Sequence, residues 1–334
     1  MKNTVAQQKA QKVLGRVLSS SVTLVVMLLS LVSCSSAQEM SAHHHMETGM
    51  NPELVQEWAK ARLAKSPRHH EWVKVKNGDR VVNCFIVFPE VKNKATAVVV
   101  IHEIFGMSDW VQALTDELAE AGYVAIAPDL LSGMGPNGGG SSSFDANGVR
   151  QAIGNLPPDQ ITADLNAVAD YVSRLPAANG KVAVGGFCWG GSQTFRFATN
   201  RPSLKAAFVF YGSAPTTGQP PSQAIDKEGL KRIGAPVYGF YAENDARIDE
   251  TVPDTTAAMK ELGKKYDPVT YAGAGHGFMR AGEAPEPVAP VAKGEKEADD
   301  KAAVSYQKAL TAYKANKKAR EDAWVRWQKI LAAL

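Results

Sequence analysis

From about residue 70 onward, short apolar runs alternate with stretches in which apolar residues recur every three or four positions. "RVVNCFIVFP" (80–89) is β-branched and aromatic and stops at a proline, which reads as a strand. "TAVVVIHE" (96–103) opens on an unbroken apolar run, as a strand covered on both faces must. "YVAIAPD" (123–129), "KVAVGGF" (181–187), "KAAFVFYG" (205–212) and "APVYGFY" (235–241) read the same way, with "PVTY" (268–271) behind them. Helical periods lie between. Trp110, Leu114 and Leu118 recur every four residues, with Ser108 placed to cap the helix and Gly122 to stop it. Ile161, Leu165, Val168 and Val172 share one face after Pro157 and Pro158. "QTFRFAT" (193–199) and residues 250–262 supply two more helices, and the C-terminal helix, 302–334, carries Ala323, Trp327 and Leu331 on its apolar side. Residues 132–145, "SGMGPNGGGSSSFD", have no apolar period and predict a mobile loop. Residues 281–301, rich in Pro, Glu and Lys, predict an exposed excursion. Repeated strand–helix units predict an α/β fold: a mostly parallel, doubly wound sheet flanked by helices, forming a single domain over 56–334.

The first residues belong to a different pattern. Lys2, Lys9, Lys12 and Arg16 precede a short apolar run, 17–32, which falls below the roughly 20 residues of a spanning helix. That run ends in "LVSC", small residues beside Cys34, which resembles a bacterial lipoprotein box. The expectation is a lipoprotein signal peptide over 1–33, Cys34 as the lipidation site, a tether over 34–55, and an exported protein anchored to the envelope and facing the periplasm. An ordinary secretory signal cleaved near Ala37 is the alternative. Removing residues 1–33 takes away four positive charges and no negative ones, so the formal +3 of the full chain becomes about −1. Nucleic acid is therefore not an expected partner, and no protein partner is indicated. His43, His44 and His45 read as part of the tether, since three adjacent side chains cannot close a coordination sphere. His69 and His70 read likewise as solvated, and no metal or cofactor is expected.

In open α/β sheets, sites form where strands end. His102 and Glu103, Asp129, Cys188, Asp245 and His276 all stand just past apolar runs. Gly186-Phe187-Cys188-Trp189-Gly190 is the cysteine form of the G-x-S-x-G nucleophile elbow, and Cys188…Asp245…His276 follows the nucleophile–acid–histidine order of the α/β-hydrolases. On such a turn the Trp189 N–H faces the site and can bind an oxyanion at a helix N-terminus. His276 would take the thiol proton and Asp245 would hold its tautomer. A dinucleotide site needs G-x-G-x-x-G and an acidic residue after the next strand; "GGFCWGG" has the wrong spacing and that strand ends in Phe210-Tyr211-Gly212. Two other readings stay open: a Cys84–Cys188 disulfide, and a non-catalytic ligand-binding lipoprotein on the same scaffold.

"IHEIFGM" (101–107), "YVAIAPDLL", "GKVAVGGFCWGG", "FVFYG", "YAENDARI", "GAGHGFMR" and the terminal "AREDAWVRW" together resemble the dienelactone hydrolase family of α/β-hydrolases. The resemblance implies a carboxylic ester hydrolase acting on a small ester, lactone or thioester through an acyl-cysteine. It matches Cys188, Asp245 and His276 to the family triad. It matches Glu103 to a carboxylate that accepts the resting thiol's proton, Ile104 to a second oxyanion donor and Arg280 to an arginine that pairs with a substrate carboxylate. The family's second arginine has no firm match; Arg150 and Arg247 are candidates.

Overall fold

The computed structural model describes residues 55–218 and 222–334. The expected signal, Cys34 and the histidine-bearing tether lie outside the described residues. Eight strands form one sheet: β1 (His70–Asn77), β2 (Arg80–Val87), β3 (Ala95–Ile101), β4 (Val124–Pro128), β5 (Ala178–Phe187), β6 (Ala207–Phe210), β7 (Val237–Ala242) and β8 (Tyr266–Tyr271). Their spatial order is β1-β2-β4-β3-β5-β6-β7-β8. β1 and β2 form an antiparallel hairpin, β2 is antiparallel to β4, and all later pairs are parallel. Every residue of β3, β4, β6 and β7 is buried, which is why these segments read as unbroken apolar runs.

The helices of eight or more residues are α1 (Glu57–Ala64), α2 (Asp109–Glu120), α3 (Ala146–Gly154), α4 (Pro158–Ser173), α5 (Trp189–Asn200), α6 (Val252–Glu261) and α7 (Lys296–Leu331). They cover both faces of the sheet. α2 and α7 close one face through Trp110, Leu114, Ala323 and Trp327. α3, α4, α5 and α6 close the other through Val149, Leu165, Phe195 and Met259. The Trp327 ring lies among Phe187, Phe208 and Phe210 and directly over Gly185, where an added Cβ would sit 2.8 Å from it.

Four features depart from the sequence expectations. The β1–β2 hairpin, closed by Gly78 (φ 59°) and Asp79, and helix α3 were not foreseen. The first is a polar edge, and the second is a nine-residue helix whose N-terminus is set by the Asp145 carboxylate accepting from the Asn147 and Gly148 N–H groups. The 132–145 loop, expected to be mobile, is pinned at its middle. Asp129, at the end of β4, accepts from the Ser141 N–H (2.8 Å) and hydroxyl (2.6 Å), and Ser141 is fully buried. Finally, α7 starts at Lys296, inside the expected excursion. Its first turns carry no apolar face and rest on pairs such as Glu297–Lys301 (2.7 Å), so apolar periodicity does not reveal them.

Cys84 and Cys188 are both free thiols. Cys84 lies on β2 and Cys188 follows β5, with β4 and β3 between. Three strand spacings amount to about 14 Å, twice the roughly 7 Å limit for Cα atoms of a disulfide. The two cannot pair within this fold.

Candidate active site

Cys188 bridges β5 and α5 with φ 57° and ψ −120°, a conformation that non-glycine residues seldom adopt. Its surroundings fix that conformation. The Cys188 N–H donates to the Phe210 carbonyl (3.1 Å), and its own carbonyl accepts from Gly191 (3.0 Å) and Ser192 (3.2 Å). The glycines on either side are dictated by contact. A Cβ at Gly186 would lie 2.2 Å from the Gly190 carbonyl oxygen, and one at Gly190 would lie 2.3 Å from that of His102. Any side chain there would force the turn away from β3 and leave the thiol elsewhere.

Asp245 follows β7 and His276 lies on the loop after β8. Two contacts lock these loops together: Asn244 N–H to the Ala274 carbonyl (2.8 Å) and Gly273 N–H to Glu243 Oε2 (2.7 Å). The Gly275 N–H donates to Asn316 Oδ1 of α7 (2.7 Å), so the long helix braces the histidine loop. His276 Nδ1 donates to Asp245 Oδ2 at 2.5 Å, with Asp245 buried. The Cys188 side chain lies close enough to the ring to influence its ionisation. Burial pulls the imidazole down, but the neighbouring Cys188 sulfur and the Asp245 carboxylate outweigh it, and His276 is raised to about 8. An imidazole held between a carboxylate and a thiol can accept the thiol proton and carry it as a stabilised cation.

Glu103, just beyond β3, is also buried, and its Oε2 lies 3.3 Å from Arg280 Nε. Arg280 reaches it from the short turn Phe278–Ala281 by folding back over Gly277 (φ 78°), where a Cβ would meet the guanidinium at 2.5 Å. The guanidinium also stacks on the Phe105 ring at 5.3 Å. The Arg150 guanidinium, presented by α3, stacks on the same ring at 5.0 Å. Of the two candidates for a second arginine, Arg150 thus shares a partner with Arg280. Arg247 is exposed and lines a cavity of about 610 Å³ with Ser213, Ala214 and Lys227.

Tyr211 is a site residue that sequence reading missed. It stands at the end of β6 with φ 38° and no exposure, its ring edge-on to His276 at 4.9 Å. Its hydroxyl forms no well-aligned hydrogen bond yet sits within reach of Glu103, and burial together with that carboxylate pushes its ionisation well above 10. The strand-end rule applied to "FVFYG" would have found it.

Trp189 opens α5, so its N–H has no acceptor within the helix. Ile104 lies in a tight turn closed by the Gly106 N–H donating to the Glu103 carbonyl (3.1 Å). Gly106 (φ 78°) leaves room for Ser141, tying the turn to the pinned loop. His102 is fully buried: it donates through Nδ1 to the Glu103 carbonyl (2.8 Å), accepts the Leu130 N–H at Nε2 (3.4 Å), and stacks on Trp189 at 5.7 Å and 12°. Asp129 serves the loop instead of the cysteine cluster.

Residues 82–334 match the family model described as the dienelactone hydrolase family. Over 185 residues the chain is 34% identical to a provisionally named carboxymethylenebutenolidase of Salmonella typhi, covering 54% of this chain and 67% of that protein. A protein of the same name from Yersinia pestis is 32% identical over 194 residues, covering 54% and 67%. Among solved structures, a provisionally assigned dienelactone hydrolase from Klebsiella pneumoniae subsp. pneumoniae MGH 78578 superposes with a TM-score of 0.62 at 24% identity, covering 80% of this chain and 99% of that one. A dienelactone-hydrolase-like promiscuous phosphotriesterase from metagenomic libraries gives 0.59 at 20% identity, covering 80% and 98%. These structures share the α/β-hydrolase fold. The extent of the family match shows what the strand order and the elbow already suggested: this chain belongs to the dienelactone hydrolase family.

Proposed function

We propose that this hydrolase cleaves a small ester, lactone or thioester through an acyl-cysteine on Cys188. The observation that carries the reading is the His276 ring, hydrogen-bonded to buried Asp245 and close to the Cys188 side chain on the elbow. His276 takes the Cys188 proton as sulfur attacks the acyl carbon. The oxyanion accepts the N–H groups of Trp189 and Ile104, and the leaving oxygen or sulfur departs with the proton held by His276. Water, deprotonated by the same imidazole, then cleaves the thioester and releases the acid. The provisional carboxymethylenebutenolidase names of the relatives agree with a lactone among the substrates.

Arg280 favours an acidic substrate. A substrate carboxylate drawn onto its guanidinium would compete with Glu103 for the same cation. We further propose that the enzyme is exported and anchored through Cys34, because a short apolar run ends directly on that small-residue cysteine sequence. Among the described residues no helix is long and apolar enough to cross a membrane.

The test is a panel of lactones, aryl esters and thioesters, each in an acidic and a neutral version, assayed with the wild type and with Cys188→Ala. The variant is expected to keep its fold and lose turnover; unchanged turnover contradicts the mechanism. Equal rates on acidic and neutral partners remove the role given to Arg280. A protein that merely held a ligand would leave Cys188 unlabelled by a small electrophile near neutral pH.

A further inference from the structure

Among the described residues His102 is the one buried histidine, and its ring joins the turn after β3, the end of β4 and the elbow. Its Nδ1–H donates to the Glu103 carbonyl at 2.8 Å. That carbonyl belongs to the same planar peptide as the Ile104 N–H. Fixing the oxygen therefore fixes the direction of the N–H on the opposite side of the peptide. A hydrogen bond to the carbonyl also polarises the unit and strengthens the N–H as a donor. The Gly106 N–H reaches the same oxygen at 3.1 Å, so two donors hold it.

The ring's other nitrogen has one available role. Because a carbonyl can only accept, Nδ1 carries the hydrogen; Nε2 is then a lone pair, and it accepts the Leu130 N–H at 3.4 Å. Leu130 follows β4, so the imidazole spans from the turn after β3 to the neighbouring strand end. With no exposure, burial pulls the ring's ionisation downward against the nearby Asp129 charge, which keeps the neutral tautomer that these two bonds require. The ring face stacks on the Trp189 indole at 5.7 Å and 12°. The main chain of His102 takes part too: its carbonyl oxygen occupies the space a Cβ on Gly190 would need.

We propose that His102 is a positioning residue for the oxyanion site: one neutral imidazole aligns the Ile104 N–H through the Glu103 peptide and the Trp189 N–H through the stacked indole. This rests on the acyl-cysteine reading above. It adds that the two donors, borne on different strand ends, are set by a single side chain that touches no substrate atom.

The test separates oxyanion alignment from damage to the nucleophile. Hydrolysis of an aryl ester needs the oxyanion donors, whereas alkylation of Cys188 by iodoacetamide forms no oxyanion. His102→Phe keeps a flat ring against Trp189 and removes both hydrogen bonds. It is expected to lower kcat on p-nitrophenyl acetate about 10- to 100-fold, the scale of a misplaced oxyanion donor, while KM and the iodoacetamide rate stay within twofold of wild type. His102→Gln, which offers a donor and an acceptor, is expected to recover most of the loss. A phenylalanine variant with wild-type kcat, or one losing hydrolysis and alkylation in parallel, overturns the proposal. Should that variant fail to fold, His102→Asn, too short to reach both backbone groups, is read by the same criteria. Cys188→Ala run alongside keeps the two readings apart, since residual turnover there refutes the acyl-cysteine itself, whatever His102 does.

Discussion

Cys188 sits at φ 57°, where a Cβ is strained by about 1–3 kcal/mol. The elbow holds its cysteine at that cost, so the usual ranking of alanine above glycine should invert here. Cys188→Gly is expected to unfold at a higher temperature than Cys188→Ala although both lack turnover; the opposite order would mean that the turn is relaxed. His276 carries a second consequence. Its folded value of about 8 stands above the ordinary 6.5, so its bond to Asp245 and the nearby Cys188 sulfur add stability that is complete below pH 6.5. That contribution fades as pH rises through 8. It amounts to about 2 kcal/mol at most, less what solvent screens at the ring's partly exposed edge. Denaturant midpoints measured from pH 6 to 9 should show the wild type losing ground against His276→Gln across this window; parallel curves would contradict it. The positions of Cys188, Asp245 and His276 at strand ends were legible because each follows an apolar run, and the elbow glycines mark the sharp turn. Tyr211 was legible by the same strand-end rule, but the stacking of Arg150 and Arg280 on Phe105 was not, because it joins segments that are remote in sequence.

Among the elements, the buried parallel strands wrote themselves plainly into the chain, since burial on both faces demands unbroken apolar residues. The hairpin edge, α3 and the first turns of α7 were hidden, because they are polar or short and rest on caps and ion pairs. α7 does more than cover the sheet. Trp327 fills the space over Gly185, and Asn316 holds the loop that carries His276. The two contacts should separate by substitution. Trp327→Ala is expected to cost about 3–5 kcal/mol, the usual scale for an emptied core aromatic, as read from the denaturant midpoint. Asn316→Ala is expected to leave that midpoint within about 1 kcal/mol, the worth of one hydrogen bond, and to lower kcat several-fold. An Asn316→Ala enzyme with wild-type kcat would show that the loop holds His276 without the helix.

For the whole molecule, two free thiols on non-adjacent strands remove the disulfide reading. The export proposal has its own test. Cys34→Ser is expected to move the protein from the membrane fraction to the soluble one, and an unchanged distribution would contradict the lipid anchor. The central claim is the covalent one, and it can be observed directly. The enzyme is quenched in acid during turnover of p-nitrophenyl acetate and its peptides are weighed by mass spectrometry. An acetyl group is expected on the peptide bearing Cys188, lost on further incubation and absent from Cys188→Ala. Full turnover with no adduct at Cys188, or an adduct on another residue that persists in Cys188→Ala, would contradict it.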